Sequence, residues 1–246
     1  MASKTTIRII ALVISLVLAL LGNLALADTQ LGRVFFDAGG DLGFINIQTL
    51  MWVFFFLGMG ELYYRYQANK VDVAGLHSRY LTEEMGVFYN QTRLAEVMQR
   101  VQNREDRLAR LIKILFMRYQ ASQRSPDETH QMLNSQLEMM QFKLEVDYNL
   151  IRYISWLIPT LGFIGTVVGI TLALSYAGEP GVAETPEFLG VLTSKLAVAF
   201  HTTLVALIMS AVLVYAMHVV QGQEETVIQH CGEYCLNNFI NKLMSN

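Results

Sequence analysis

The sequence predicts an all-α membrane protein, and three features of its composition and patterning support this fold class. Hydrophobic residues make up 53% of the 246 residues and charged residues only 16%, a low charge content for a water-soluble domain. The apolar residues are concentrated in four runs, each long enough for a helix that crosses a bilayer, and the fourth is longer than one span needs and should extend beyond the bilayer. The predicted transmembrane helices span residues 9–27, 44–64, 153–176 and 189–220.

The first apolar run allows two interpretations. Lys4 and Arg8 precede it and Ala25-Leu26-Ala27 ends it, a pattern that is also typical of a cleaved secretory signal peptide. The run is longer than the apolar part of a typical signal peptide, so we expect a retained transmembrane helix. With the second run it would form an N-terminal membrane hairpin, residues 1–64.

A long polar segment, residues 65–152, separates the second run from the third and contains most of the Lys and Arg residues. Basic residues at the ends of the spans, such as Arg65 and Arg152, place this segment in the cytoplasm by the positive-inside rule. With four spans, both termini are then predicted to be cytoplasmic as well.

This cytoplasmic segment is predicted to be helical. Apolar residues recur at helical spacing among charged ones between Asn90 and Gln120, and the charged stripe is expected to be a solvated face. Ser125-Pro126-Asp127-Glu128 has a capping Ser, a Pro in the first turn and a Glu three residues after the cap, which together favour a helix start. We expect one long helix from about Pro126 into the membrane, bent near Pro159.

The C-terminal third of the chain has two predicted parts. Residues 153–221 contain the third and fourth runs and form a second transmembrane hairpin with a short acidic loop between its helices. Residues 222–246 form a cytoplasmic tail whose amphipathic pattern predicts a packing surface.

Small and hydroxylated residues mark one face of the third run. Gly162 lies three and four residues before Gly165 and Thr166, and these lie four and three residues before Gly169, so all four share one side of a helix. Gly165 and Gly169 have the GxxxG spacing of closely packed membrane helices. Helix packing explains the glycines, but a hydroxyl in the middle of that face needs a hydrogen-bond partner or water. This is the first indication of a conduction path.

The fourth run carries further polar residues, namely Lys195, His201, Thr202 and Thr203. Polar residues inside a membrane are costly and usually functional. His201 could relay protons because imidazole titrates near neutral pH, but we favour a neutral ring bonded to a carbonyl or a neighbouring subunit. We expect Lys195 to extend to the outer membrane surface. Neither of the last two runs contains Asp or Glu, so if protons move here we expect a partner to bring the carboxylate.

Other classes of function find no support in the sequence. No nucleophile–base arrangement, phosphate-binding loop or metal-ligand cluster is recognisable, so we expect no enzyme activity, cofactor or metal. His230, Cys231 and Cys235 are too few for a structural zinc site, and no basic stretch predicts nucleic-acid binding. Two functions remain from the residues alone: an ion-conducting membrane protein, or a non-conducting scaffold that oligomerises through its Gly/Thr faces.

Two motifs resemble those of a known family. Residues 159–167, PTLGFIGTV, resemble the Pro-x-x-Gly-x-x-Gly-Thr-Val signature of the MotA/TolQ/ExbB proton-channel family, and residues 197–207 are similar to its last span. The resemblance extends from Arg65 to the C-terminus and includes the layout of a long cytoplasmic insert followed by two spans. The chain has Val198 where ExbB and TolQ members tend to have Glu, while its four predicted spans resemble MotA.

The resemblance implies a homopentameric ring in the lipid of the bacterial inner membrane, surrounding a MotB/TolR/ExbD-like dimer of single-span proteins. An intramembrane Asp of the partner would carry protons past the ring's threonines, and proton flow would drive rotation or other mechanical work. By position, Thr166 and Thr203 would be the pore-facing hydroxyls, and Pro159 would bend the pore-lining helix. Sodium is the alternative ion, with Thr160, Thr166, Thr202 and Thr203 as sources of oxygen ligands.

Overall fold

The computed structural model describes residues 47–81, 91–121 and 125–244, with isolated helical positions between residues 6 and 17. Within these ranges every regular element is a helix. The predicted first span, 9–27, lies outside the described residues except for isolated positions, and so do residues 44–46 at the start of the second span.

The helices differ greatly in length, and two of them dominate the described chain. The elements are α1 (Ile47–His77), α2 (Gln91–Val101), α3 (Arg107–Ala121), α4 (Pro126–Ala177), a 3₁₀ turn (Val182–Glu184), α5 (Phe188–Cys235), a π-helical turn (Leu236–Ile240) and α6 (Asn241–Met244). Among the described residues, α4 and α5 are the helices long and apolar enough to cross a membrane. They contain the predicted third and fourth spans.

Helix α4 begins where the sequence predicts. Ser125 caps it, because its Oγ accepts the Glu128 N–H at 3.4 Å and its carbonyl accepts the Thr129 hydroxyl at 2.8 Å. The helix then continues for 52 residues, with Pro159 inside it. The prediction of one long helix starting near Pro126 is therefore confirmed.

The chain divides into two compact units. Unit 1 comprises residues 1–64 and 149–218, and unit 2 comprises residues 65–148 and 219–246. Helices α1, α4 and α5 each contribute residues to both units.

Unit 2 has an apolar core between α3 and the C-terminal tail. The buried face of α3 includes Leu108, Leu111, Ile112 and Leu115. The amphipathic pattern of the tail predicts that Val227, Ile228, Cys231, Leu236, Phe239, Ile240 and Leu243 pack. Five of them, Val227, Ile228, Cys231, Phe239 and Ile240, are buried, Leu236 is half-buried, and the side chain of Leu243 lies outside the described part. Burying such side chains is the main favourable term in the folding of a small unit.

The predicted helical segment between Asn90 and Gln120 is not one helix, because the chain breaks between α2 and α3. Asp106 is the N-cap of α3, because its Oδ1 accepts the Ala109 N–H at 2.9 Å. Its Oδ2 accepts the Tyr80 hydroxyl at 2.8 Å. Gly75 leaves the space this carboxylate needs, since a Cβ there would lie 2.6 Å from Asp106 Cγ.

The buried carboxylate of Glu224 connects four helices of unit 2. Its Oε1 accepts hydrogen bonds from Arg65 Nη1 at 2.9 Å and from the Tyr148 hydroxyl at 3.0 Å. Its Oε2 accepts one from Arg107 Nη2. Glu224 is only 1% exposed, so these three donors replace the water that its charge would otherwise require.

Two further carboxylates extend this network on either side. Arg65 Nη2 lies 2.9 Å from Asp147 Oδ2, and Arg107 Nε lies 2.9 Å from Asp72 Oδ2. Negative and positive groups therefore alternate along the network. The expectation of a solvated charged face between Asn90 and Gln120 is wrong for Asp106, which is buried. Arg65 and Asp72, earlier in the cytoplasmic segment, are buried as well.

Burial shifts the pKa of two network members. Desolvation raises the pKa of Asp72 above its ordinary value, although the Arg107 N–H and guanidinium partly oppose this shift. Desolvation and the nearby Glu224 charge raise the pKa of Tyr148 well above its ordinary value, so the phenol stays protonated and keeps donating.

We predict that Glu224→Ala destabilises the protein by about 3–5 kcal/mol, because it leaves Arg65 and Arg107 buried without their shared partner. Denaturant unfolding in detergent, followed by circular dichroism, measures the effect. The matched control is Glu225→Ala, which removes an exposed carboxylate from the next position on the same helix. Equal effects of the two substitutions would contradict the role given to the network.

Thiol reactivity should report the folding of unit 2. Burial raises the pKa of the Cys231 thiol to about 12, and the thiolate is the reactive form. We therefore expect Cys231 and Cys235 to react with an alkylating reagent at pH 8 only when unit 2 opens. A Gln229→Cys variant, at an exposed tail position, provides the control and should react rapidly. Equally fast labelling of the native cysteines would show that this core is open.

Candidate functional site

The three glycines of the third run allow α4 and α5 to approach closely in unit 1. A Cβ at Gly165 would lie 2.7 Å from Thr202 Oγ1, and one at Gly169 would lie 2.7 Å from Ala199 Cβ. A Cβ at Gly162 would overlap Ala206. Each distance is shorter than real Cβ contacts allow, so any larger residue would push the two backbones apart.

This close approach brings the hydroxyls of Thr166 and Thr203 into direct contact. Thr166 Oγ1 also lies 3.2 Å from the Gly162 carbonyl oxygen and 3.1 Å from that of Ala199. Thr203 Oγ1 lies 3.1 Å from the Gly162 oxygen and 3.5 Å from the Ala199 oxygen. Two hydroxyls and two carbonyls therefore form one cluster of oxygens between the helices.

The cluster offers more acceptors than hydrogens. Each hydroxyl has one hydrogen to donate, but it has two carbonyl oxygens and the other hydroxyl within reach. The direction of donation can therefore change without any movement of a heavy atom. Such an arrangement can pass a hydrogen-bonded proton along, whereas it has no carboxylate or imidazole that could hold one.

Thr202, also a candidate for the ion pathway, occupies a different environment. Its side chain is buried against Gly165, and its hydroxyl donates to the Ala199 carbonyl at 2.8 Å. The Ala199 carbonyl oxygen thus accepts hydrogen bonds from Thr166 on α4 and from Thr202 on α5. In this structure Thr202 fills the space that the glycine leaves and helps to define the oxygen cluster.

His201 points away from the threonine pair. It precedes Thr203 by two residues, which corresponds to about 200° around an α-helix. The ring is half-buried, and its Nδ1 is buried with no hydrogen-bond partner in the part of the chain that the structure describes. The structure therefore does not bring His201 into the oxygen cluster.

Lys195, the candidate for the outer mouth, lies near the start of α5. Its Nζ is 5.9 Å from the centre of the Tyr176 ring at the end of α4, within the range of a cation–π interaction. Tyr176 in turn stacks on Phe188. The lysine is thus placed beside aromatic rings at the end of the helix pair where the connecting loop begins.

Pro159 interrupts the backbone hydrogen bonding of α4 without ending the helix. Hydroxyl groups surround this position: the Thr160 hydroxyl donates to the Trp156 carbonyl at 2.9 Å, and the Ser210 hydroxyl of α5 donates to the Ser155 carbonyl at 3.1 Å. The Ser155 carbonyl is the one that Pro159 leaves without its N–H donor, and membrane helices tolerate proline where a side-chain hydroxyl satisfies such a freed group.

All of these residues lie within the part of the chain that a protein-family model matches. The model describes the MotA/TolQ/ExbB proton channel family and matches residues 92–232, more than half of the 246 residues. The chain belongs to this family. The resemblance found in the sequence motifs is thereby confirmed. No curated protein and no solved structure matches the chain.

Sequence reasoning did not connect Ser155 with Ser210, although a signal was present. A proline inside a helix always removes the donor to the carbonyl four residues earlier, which is Ser155 here. The carbonyls of Gly162 and Ala199 also have a role that no side-chain motif could indicate. They take part because the glycines bring the backbones together, and this is a property of the helix pair.

We predict that Gly169→Ala destabilises unit 1 by about 1–3 kcal/mol, because its new methyl group meets the Ala199 backbone at 3.0 Å and that backbone cannot rotate away. Thermal unfolding in detergent measures the effect. Gly190→Ala is the control, since no atom lies within 4 Å of its Cβ position apart from those of its own helix backbone and chain neighbours. The control should be neutral or slightly stabilising, because alanine favours a helix more than glycine. A neutral Gly169→Ala would contradict the close contact.

Proposed function

We propose that the protein is the ion-conducting stator subunit of a proton-driven motor, which couples proton flow to rotation or other mechanical work on a single-span partner dimer. The observation that carries this proposal is the oxygen cluster of Thr166 and Thr203 between two apolar helices. Membership of a proton channel family supports the same assignment. The cluster can relay protons, and its position matches the hydroxyls that the family motifs place at the pore.

In this proposal the partner supplies the group that holds the proton beside the oxygen cluster. Residues 153–176 and 189–220 contain no Asp or Glu, and a hydroxyl does not become charged near neutral pH. The partner that fits is therefore a MotB/TolR/ExbD-like protein with an Asp in its transmembrane helix. A carboxyl group on that helix would exchange its proton beside Thr166 and Thr203.

In this proposal five copies form a ring in the bacterial inner membrane, each with four spans and with both termini in the cytoplasm. Large apolar side chains on α4 and α5 support the membrane location. Phe163 is 66% exposed and Phe200 is 64% exposed, which is unfavourable in water and favourable against lipid or a neighbouring subunit.

A non-conducting scaffold is the alternative from another class. Its argument was that the glycine face serves to join subunits. In unit 1 this face is occupied by α5 of the same chain, since Gly162, Gly165 and Gly169 contact Ala206, Thr202 and Ala199. The glycines are therefore engaged within one subunit, and this occupancy favours the conducting function over the scaffold.

Sodium is the alternative ion, and the same cluster gives it some support. Two hydroxyl and two carbonyl oxygens are the type of ligand that hard cations prefer. We favour protons, because the hydroxyls already satisfy one another and the two carbonyls without a cation.

Ion flux in liposomes tests the function. The chain is co-expressed with its single-span partner, and internal acidification is compared between the wild type and the partner's Asp→Asn variant. We expect Asp-dependent proton flux that does not change with sodium. Flux that requires sodium would assign the other ion. If neither sample shows proton flux, the partner's periplasmic plug segment is deleted and the measurement repeated. Absence of flux in that variant would support the scaffold.

Within that assay we predict that Thr166→Val and Thr203→Val each abolish flux and leave assembly intact. Valine keeps the shape of threonine and removes the hydroxyl, so packing is retained while the proton path is interrupted. His201→Ala should have a smaller effect, because the ring lies outside the oxygen cluster. Assembly is checked by size-exclusion chromatography. Normal flux in both valine variants would remove the threonines from the mechanism.

A further inference from the structure

The carbonyl of Ser155 has lost its usual backbone partner. In an α-helix the carbonyl of residue i accepts the N–H of residue i+4, which for Ser155 is Pro159, and proline has no N–H. In an apolar environment such a carbonyl needs another donor, because no water is present that could donate in place of the missing N–H. The nearby Ser155 hydroxyl does not serve, since it donates to the Ile151 carbonyl at 2.9 Å.

The missing donor comes from the neighbouring helix. The Ser210 hydroxyl of α5 donates to the Ser155 carbonyl oxygen at 3.1 Å. A serine inside a helix can alternatively bond to the carbonyl four residues before it, as Thr203 can with Ala199. Ser210 instead reaches across to the one carbonyl nearby that lacks an i+4 backbone donor.

This bond and the Thr203–Gly162 bond of the oxygen cluster are separated by the same number of residues on both helices. Ser210 follows Thr203 by seven residues on α5, and its acceptor Ser155 precedes Gly162, the acceptor of Thr203, by seven residues on α4. Seven residues are about two turns of each helix. Two hydroxyl-to-carbonyl bonds, two turns apart, therefore fix the register of α4 against α5. Ala206, which lies between Thr203 and Ser210 on α5, packs on Gly162.

The two bonds differ in how easily they can be released. The Gly162 carbonyl also accepts the Thr166 hydroxyl at 3.2 Å, and it lies in a part of α4 with an available backbone donor. Thr203 can therefore change partners without leaving that carbonyl unsatisfied. Ser210 cannot, because its departure would remove the donor that replaces the N–H of Pro159.

We propose that Ser210 is a positioning residue of the ion pathway: its hydroxyl takes the place of the N–H that Pro159 lacks and so holds α5 in the register that brings Thr203 to Thr166. Ser210 acts as the fixed point of the helix pair, and the threonine hydroxyls exchange partners at the other end. This role rests on the proposed ion-conducting function, whereas the hydrogen bond itself does not.

A double-mutant cycle tests the proposal with Ser210→Ala, Pro159→Ala and the double variant in the full-length protein. Thermal unfolding in detergent and proton flux with the partner are both measured. We expect Ser210→Ala to lower the melting temperature and to reduce flux at least fivefold. In the Pro159→Ala background the residue at 159 donates its own N–H to Ser155, so Ser210→Ala should lose at least half of its effect on melting.

Two further variants separate positioning from general packing. Ser210→Thr keeps the hydroxyl and should restore most of the flux that Ser210→Ala loses. Ser194→Ala removes the same atoms from an exposed position of α5 and should change neither measurement. If Ser210→Ala has the same effect on melting with and without Pro159, or if Ser210→Thr is as defective as Ser210→Ala, the proposal is wrong.

The two measurements keep this proposal distinct from the function on which it rests. A wild-type protein without flux would overturn the proposed function and the transport role of Ser210 with it. The coupling between positions 159 and 210 in thermal unfolding would still decide whether the hydroxyl replaces the missing backbone donor.

Discussion

The arrangement of unit 1 depends on the distance between the backbones of α4 and α5. Lipid gives no hydrophobic driving force for two apolar helices to associate, so close packing and hydrogen bonds must hold them together. Three glycines on α4 remove the side chains that would keep the backbones apart. Only at this short distance can a threonine or serine hydroxyl of one helix reach a carbonyl oxygen of the other. The packing motif and the chemical site are thus one feature, and a change in either one alters both.

Unit 2 contains a buried polar network of a different kind, whose members carry full charges. Glu224 is surrounded by donors from three other helices, and the charges on either side of it alternate in sign. Ion pairs of this kind contribute little net stability, because both partners lose their hydration, but they strongly disfavour any arrangement that separates them. They are suited to holding several helices in one arrangement. Hydroxyl–carbonyl bonds suit a site where partners must exchange, since each bond is weaker and neutral.

The parts of the structure that depend on local pattern were predictable from the sequence. Apolar periodicity located the long helices, the Ser125-Pro126 start was correct, and the Gly-x-x-Gly-Thr motif indicated the family. Contacts between distant residues were not predictable. The sequence predicts Arg65 to be a charge that flanks the membrane, yet it is buried against Glu224, which lies 159 positions later in the chain. Spacing along one helix identifies the residues that share a face, but it cannot identify the residue on another helix that this face meets.

The composition of unit 2 has a consequence for how the protein is made. Its two parts, residues 65–148 and 219–246, are separated by the whole of residues 149–218. At the usual rate of roughly 5–20 residues per second, the ribosome would add Glu224 about 8–30 s after Arg65, given their separation of 159 positions. During that interval the first part lacks the tail that completes its apolar core and the carboxylate that joins its arginines. Unit 2 can therefore finish folding only after residues 149–218, which contain the apolar parts of α4 and α5, have been synthesised.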